Sequence, residues 1–443
     1  MTDKTITVVG AGLAGCEAAW AAANAGVSVT LIEMKPLCRS PAHTADGFAE
    51  LVCSNSLKSN RPDSAAGLLK NEMRQLGSVC LQAADDCAVP AGGALAVDRE
   101  RFSPLVTEKI QNHPHIRVVH EEITHIPDGT AVIATGPLTD GALAEDIRRL
   151  CGEGLHFYDA AAPIVSADSI DMNSAFRASR YGGISSPGEE GEGDYINCPL
   201  DKAEYELFHA ALISAETAPL HEFDGNPTVY EGCMPIEVLA KRGLDAIRFG
   251  PMKPVGLRDP RTGRRPWAVL QLRAENAAGT MYNLVGFQTN LRFPEQKRVF
   301  GLIPALQNAA FLRYGVMHRN TFLNSPQLLN AAYQFKTRDS LFFAGQMTGV
   351  EGYMESAASG ILAGLNAAKC LQGKPLYTLP VETMMGTLAN YISAENKDFQ
   401  PMGANFGLLP PIEPHIRDKR QRYAMLADRG MAKLEEYFNN MEA

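Results

Sequence analysis

The stretch Thr5-Ile-Thr-Val-Val-Gly10-Ala11-Gly12-Leu13-Ala14-Gly15 constrains this chain more than any other. A short β-branched run leads straight into Gly-x-Gly-x-x-Gly. An alanine-rich segment follows, and a second short run, residues 27–32, ends at Glu33. The order is strand, glycine turn, helix, strand, acid, and each part has a physical role in holding a dinucleotide. Gly10 permits the tight turn, Gly12 lets a pyrophosphate approach the backbone, and Gly15 lets the helix pack close on the strand. Ala11, Leu13 and Ala14 complete the turn and open the helix, whose N-terminus offers free N–H groups and a positive dipole end to phosphate. Glu33 can accept hydrogen bonds from a ribose and would repel a 2′-phosphate. A bare glycine pattern also suits a plain α/β turn; the strand, helix and acid around this one select the dinucleotide.

At 443 residues the chain suits two domains rather than one. Its N-terminus enters a strand at once, which leaves no room for a signal peptide. No run of about 18 apolar residues occurs, so no membrane span is expected. The nine cysteines are odd in number and include no Cys-x-x-Cys pair. That pattern argues against a disulfide framework and against a metal site, and it suits a reducing cytoplasm.

Residues 37–64 read as a long irregular loop, of the kind that is usually functional when it adjoins a cofactor strand. Residues 65–77 read as a helix, as do residues 98–111 with Asp98 as N-cap. Strands are expected at residues 116–119 and 130–133. The second ends in Ala-Thr-Gly136, a small-residue turn where an open α/β sheet holds its ligand. From residue 156 the helix–strand alternation stops. Residues 182–193 read as a surface loop, 201–215 as a helix, and 228–230, 267–273 and 281–287 as short strands. At residues 340–345 a strand again ends in glycine, Gly345. A turn through Gly352 then opens a small-residue helix at Tyr353. This closing strand–turn–helix is how FAD domains of the glutathione-reductase type end, so the dinucleotide is expected to be FAD. No second glycine turn follows a strand, so no separate NAD(P)H domain is expected. The fold class is therefore α/β: a Rossmann-like FAD-binding domain of that type, built from residues 1–155 and 329–443, with a mixed α/β domain inserted at 156–328. The tail holds a turn-rich stretch and a charged helix from about residue 417.

Two cysteines have chemically distinctive contexts. Cys233, in Tyr230-Glu-Gly-Cys-Met-Pro235-Ile-Glu237, stands just before what reads as a helix opening, where a dipole stabilises a thiolate. A small buried hydrophobe is the equal alternative there. Cys53, in Glu50-Leu-Val-Cys-Ser-Asn-Ser, lies in the long loop beside the cofactor, and buried packing is its alternative too. The chain carries −9 overall, yet residues 241–273 hold nine Lys and Arg against two Asp. Arg258, Arg261, Arg264 and Arg265 crowd the middle of that stretch, with aromatics interleaved. Such a run is the footprint of a phosphate backbone or, alternatively, a solvated face.

Together with residues 345–357, Gly-Gln-Met-Thr-Gly-Val-Glu-Gly-Tyr-Met-Glu-Ser-Ala, and 405–411, Asn-Phe-Gly-Leu-Leu-Pro-Pro, these motifs resemble the bacterial folate- and FAD-dependent tRNA (uracil-5-)-methyltransferase family over nearly the whole chain. The resemblance implies 5-methyluridine formation at uridine 54 of the tRNA T loop. It implies carbon from 5,10-methylenetetrahydrofolate and hydride from FADH2 regenerated by NADH or NADPH. It makes Cys233 the nucleophile on uracil C6 and Cys53 its partner beside the flavin, as a base or a guard of the one-carbon unit. The arginine-rich stretch would hold tRNA phosphates. These motifs do not separate a tRNA target from a ribosomal RNA one.

Overall fold

A computed structural model describes residues 5–40, 42–152, 155–180, 193–218, 234–396, 399–414 and 416–442. Five parallel strands form one sheet, in the order Leu341–Phe343, Ala131–Ile133, Thr5–Val9, Ser28–Glu33, Ile116–His120. Ala131, Val132, Ile133, Leu341, Phe342 and Phe343 are all fully buried. Such unbroken apolar strands belong to a sheet covered on both faces.

Two small-residue helices, Leu13–Asn24 and Tyr353–Leu371, cover one face and touch along their backbones. A Cβ on Gly360 would lie 2.1 Å from the Ala14 carbonyl oxygen, and one on Gly364 2.3 Å from that of Ala18. At Gly15 it would lie 1.7 Å from the Gly10 oxygen, so the third glycine does let the helix close on the strand end.

The chain leaves this sheet through Leu155–Ala160 and returns through Met317–Phe322, and these two segments pair antiparallel as a ribbon. Between them lies a six-stranded antiparallel sheet: Phe176–Arg177, Tyr195–Leu200, Ala268–Ala274, Met281–Leu284, Ile164–Ser166, Phe311–Arg313. Its core gathers residues from Val165 to Ala309, whereas the core under the parallel sheet gathers Ile6 to Ile147 and Phe322 to Leu434. The helix Lys202–Ser214 opens on a capping box in which Asp201 and Glu204 satisfy each other's backbone N–H.

The segment 37–64 is not wholly irregular. Ser56–Ser59 is a strand paired with Ala94–Val97. The helices Val79–Asp86 and Met384–Ser393 were not anticipated, and both begin at caps supplied in part from elsewhere. Glu17 accepts the N–H groups of Val79 and Cys80 at 3.2 and 3.0 Å. Glu72 accepts those of Met384 and Met385 at 2.7 and 2.8 Å. The loop expected at 182–193 falls almost wholly outside the described residues, and the strand expected at 228–230 falls wholly outside them. Among the described residues no helix is long and apolar enough to cross a membrane, and no group of three His, Cys, Asp or Glu could hold a metal ion.

Candidate active site

Three neighbouring strands, Thr5–Val9, Ala131–Ile133 and Leu341–Phe343, release their chains into one cavity. Its walls include Gly10, Gly12, Leu13, Ala14, Gly136 and Gly345, together with Glu33, Glu50, Cys53 and Tyr353. Gly10, Gly136 and Gly345 have φ of +92°, +83° and +84°, which only glycine adopts without strain. Gly12 differs: its φ of −70° suits any residue, and an added Cβ would meet nothing within 4 Å. What demands a small residue at Gly12 is therefore not the protein but whatever occupies the space before the helix N-terminus.

Glu33 is buried at the end of its strand. It accepts the Ala11 N–H at 2.6 Å and the Lys35 N–H at 3.0 Å, so it ties the glycine turn to the second strand. Ala11 itself is buried behind the turn and takes its place through that bond. Glu50 is gripped through one oxygen by Thr44 and Ala45. Its other oxygen is buried without a hydrogen-bond partner, 3.6 Å from Lys35 Nζ.

A second cavity shares Val52, Cys53, Gln346 and Tyr353 with the first. It runs on past Lys58, Gly352 and Glu355 to Arg273, Asn283 and Gln288 of the antiparallel-sheet region. Cys53 is half-buried at the partition. Its Sγ lies 2.9 Å from Tyr353 Oη, which also accepts the N–H of Cys53 at 2.7 Å and of Ser54 at 3.3 Å. Lys58 and Glu355 form an ion pair of 2.7 Å on the far wall, and Glu355 Oε2 and Asn283 Nδ2 are buried without hydrogen-bond partners.

Residues 5–375 match the family model described as glucose inhibited division protein A. A methylenetetrahydrofolate--tRNA-(uracil-5-)-methyltransferase of Brevibacillus brevis is 60% identical over 99% of each chain. One from Halalkalibacterium halodurans is 56% identical over 100% of each. The chain belongs to this methyltransferase family. Its fold is also that of the Aquifex aeolicus GidA crystal structure, with a TM-score of 0.69 at 18% identity, covering 100% of this chain and 76% of that one.

Cys233, expected from the sequence as the nucleophile, lies outside the described residues. These resume at Met234, and Pro235 caps the short helix Ile236–Ala240, as the sequence led one to expect. Glu237 stands in its first turn. It is buried, and it accepts the Asn290 N–H and the Thr289 hydroxyl at 2.8 Å each; burial pushes its carboxyl above the ordinary range. The Ile236 N–H donates to the Gln288 carbonyl at 2.7 Å, so this helix is fastened to a wall of the second cavity.

The basic stretch splits into two kinds of residue. Arg258, Arg261, Arg264 and Arg265 are exposed, as is Phe249, at 69%. Arg261, however, forks onto Asp259 at 3.0 and 2.7 Å and reaches the Asn173 carbonyl at 2.5 Å. Arg248 stacks 3.8 Å from the Trp267 ring centre. Arg273 does not belong to the surface at all. It is buried, donating to Asn55 Oδ1 at 3.0 Å and Ser54 Oγ at 2.9 Å, and so braces the loop that carries Cys53. Sequence reading missed this because a strand residue's direction depends on which sheet face is covered.

Proposed function

We propose that this protein makes 5-methyluridine in tRNA, at uridine 54 of the T loop, with 5,10-methylenetetrahydrofolate as carbon donor and FAD as its resident cofactor. NADH or NADPH would keep the flavin reduced, and the cytoplasm is the compartment. Residues 1–155 and 329–443 would hold the flavin, and 156–328 would present tRNA. The observation that carries this reading is the meeting of two cavities at Cys53: one built on a dinucleotide turn, the other on a wall shared with the segment that follows Cys233.

The first cavity suits FAD. Free space stands before Gly12 and the helix N-terminus, and Glu50, with its unpartnered oxygen, lines the same enclosure. Gly10, Gly12, Leu13 and Ala14 would receive the pyrophosphate, with Ala11 and Gly15 shaping the turn behind them, and Glu33 would receive a ribose hydroxyl. Gly136, Gly345 and Tyr353 would border the rest, whereas Gly352, expected beside the cofactor, lines the second cavity. Bound there in reduced form, the flavin supplies the hydride that a methylene group lacks to become a methyl.

Uracil C5 is a weak nucleophile. Addition of the Cys233 thiolate to C6 places negative charge on C5 and O4, and C5 then bonds to the folate methylene. Loss of the C5 proton, with Cys53 beside the site, would expel tetrahydrofolate by breaking its nitrogen–methylene bond and leave an exocyclic methylene; hydride added there would complete the methyl group, and C6 would then expel Cys233 and restore the ring. Since uridine 54 is stacked within the T loop, it must first be turned out toward the thiol. Arg258, Arg264 and Arg265, with Arg261 held by Asp259, would draw tRNA phosphates.

The test is isotopic. Flavin-loaded protein and unmodified tRNA are incubated with NADPH and methylene-labelled folate, and separately with labelled S-adenosylmethionine. Label is expected in 5-methyluridine from folate alone. Label from the sulfonium donor, or equal yield after flavin removal, refutes the reading.

A further inference from the structure

An aromatic column runs from the core under the antiparallel sheet to the protein surface. Phe300 is fully buried, and its ring centre lies 6.5 Å from that of Phe311. Phe311 stacks on Tyr314 at 5.3 Å with 7° between the ring planes, and Tyr314 stacks on Phe293 at 4.7 Å with 12°. Phe311 and Tyr314 are partly buried, whereas Phe293, the outer ring, is 50% exposed. Core packing accounts for the inner end of the column. It gives no reason to hold a ring flat against another where much of its surface stays in water. The column is also rigid. Phe293 opens the helix Phe293–Phe300, and Tyr314 follows the strand Phe311–Arg313. Gln296, fully buried, ties the two together: its Nε2 donates to the carbonyls of Leu291 at 2.7 Å and Gly315 at 2.8 Å, and its Oε1 accepts the Gly315 N–H at 2.8 Å. A surface fixed in this way loses little freedom when something lies on it.

The column stands beside the place where the two cavities meet. Gly315, the residue after Tyr314, packs so closely on Ala161 and Thr289 that an added Cβ would lie 2.6 Å from an atom of each. Ala161 lines the first cavity, and Ala162 and Gln288 line the second. Arg313, the residue before Tyr314, is near enough to Cys53 and Tyr353 for their charges to act on its guanidinium. Cations flank the outer ring. Arg292 precedes Phe293, Lys297 and Arg298 follow it in the same helix, and all three are exposed. Arg292 meets Glu216 at 3.0 Å and Arg298 meets Glu295 at 2.6 Å. Exposed ion pairs of this kind are weakly held, so a phosphate can draw either cation to itself.

We propose that the stack of Phe293, Tyr314 and Phe311 is a platform for one unstacked nucleobase of the RNA, with Phe293 as the ring on which that base lies. The proposal rests on the tRNA reading above and adds to it a contact made to a base rather than to phosphate. A uridine turned out of a loop leaves its neighbours without a stacking partner. Aromatic faces serve such bases whatever their identity, because every base has a π face. A platform next to the meeting of the two cavities receives a nucleotide that flanks the target uridine and holds the loop open while that uridine is turned inward.

The test measures RNA binding without folate or turnover. Full-length flavin-loaded protein is titrated against a fluorescein-labelled RNA hairpin with the sequence of an unmodified T arm, and anisotropy is followed over a series of salt concentrations. Phe293→Leu keeps an apolar side chain and removes the π face. It is expected to weaken binding about 5- to 150-fold, the worth of one base–aromatic stack, with the salt slope unchanged because no phosphate contact is lost. Phe293→Trp is expected to bind as tightly as the unaltered protein or more so, and Val381→Ala, which trims an exposed apolar side chain in another part of the chain, to leave binding as it was. Flavin content and the melting curve of each variant report folding separately. Unchanged binding by Phe293→Leu overturns the platform and leaves the tRNA reading standing. Phe293→Trp as weak as Phe293→Leu shows that the contact is not stacking and overturns it too. A dimer that sediments without RNA and depends on Phe293 assigns the ring to a second copy of the chain and overturns the platform. No binding of the hairpin by the unaltered protein overturns the tRNA reading and the platform together. Failure of methyl transfer with the expected binding pattern counts against the proposed reaction and leaves the platform standing.

Discussion

Gly12→Val separates cofactor geometry from fold stability in one substitution. Gly12 caps the helix Leu13–Asn24 with φ −70° and ψ −175°, extended backbone that valine adopts readily. Its added Cβ has no neighbour within 4 Å. The cost to the empty protein is thus only the weaker N-cap, about 1 kcal/mol, a fall of roughly 2–4 °C or less in a chain of this size. The cost to a bound pyrophosphate is direct, since the valine methyls fill the space that lets it reach the N–H groups of the helix start. A ligand at a hundred times its dissociation constant adds about 2.7 kcal/mol to the folded state, and that increment should vanish. The assay is flavin absorbance per protein after gel filtration, followed by melting curves with and without added FAD. The unaltered protein should be yellow and melt higher with FAD. Gly12→Val should be colourless, melt close to the unaltered apoprotein, and ignore FAD. Gly15→Ala is the control: its Cβ would stand 1.7 Å from the Gly10 carbonyl oxygen, and it should fail to fold. Full flavin occupancy in Gly12→Val would place the dinucleotide elsewhere. An apoprotein destabilised by about 3 kcal/mol or more would refute the packing argument.

Other outcomes follow from individual contacts. Glu72→Gln puts an amide donor against one of the two N–H groups that Glu72 accepts from Met384 and Met385, and should cost about 1–3 kcal/mol in urea unfolding. Burial pulls the Lys70 ammonium from 10.5 down to about 7. The unfolded chain therefore binds more protons between those values, so this group makes stability rise with pH across that window; Lys70→Met should flatten the rise. Neutralising Arg258, Arg264 and Arg265 together should lower the salt dependence of tRNA binding by about 2–3 in log–log slope, with flavin content unchanged. Cys233→Ala should abolish methyl transfer yet retain flavin and its reduction by NADPH, as read by bleaching of the flavin band.

The sequence alone carried whatever depends on a residue and its near neighbours. The glycine turn and Glu33 were legible because a left-handed turn, a close helix approach and an acid at a strand end are local demands. The helices after Asp98 and Asp201 were legible because their caps lie within three residues. The motifs around Cys53 and Cys233 were legible as motifs, with their chemistry borrowed from the family they resemble. What only the tertiary structure decided are contacts between distant segments. Tyr353 meets Cys53 across 300 positions, so their pairing had no local signal. Arg273 looked like one more surface cation and proved to be a buried brace, because the strand that carries it turns it inward onto Ser54 and Asn55. The helices Val79–Asp86 and Met384–Ser393 went unread although each has a local cap, Ser78 and Thr383; what only folding supplied are the carboxylates of Glu17 and Glu72, which reach their first N–H groups from other helices. Hydrogen bonds between near neighbours leave a spacing in the sequence; those made by folding leave none, because the fold itself sets which residues meet.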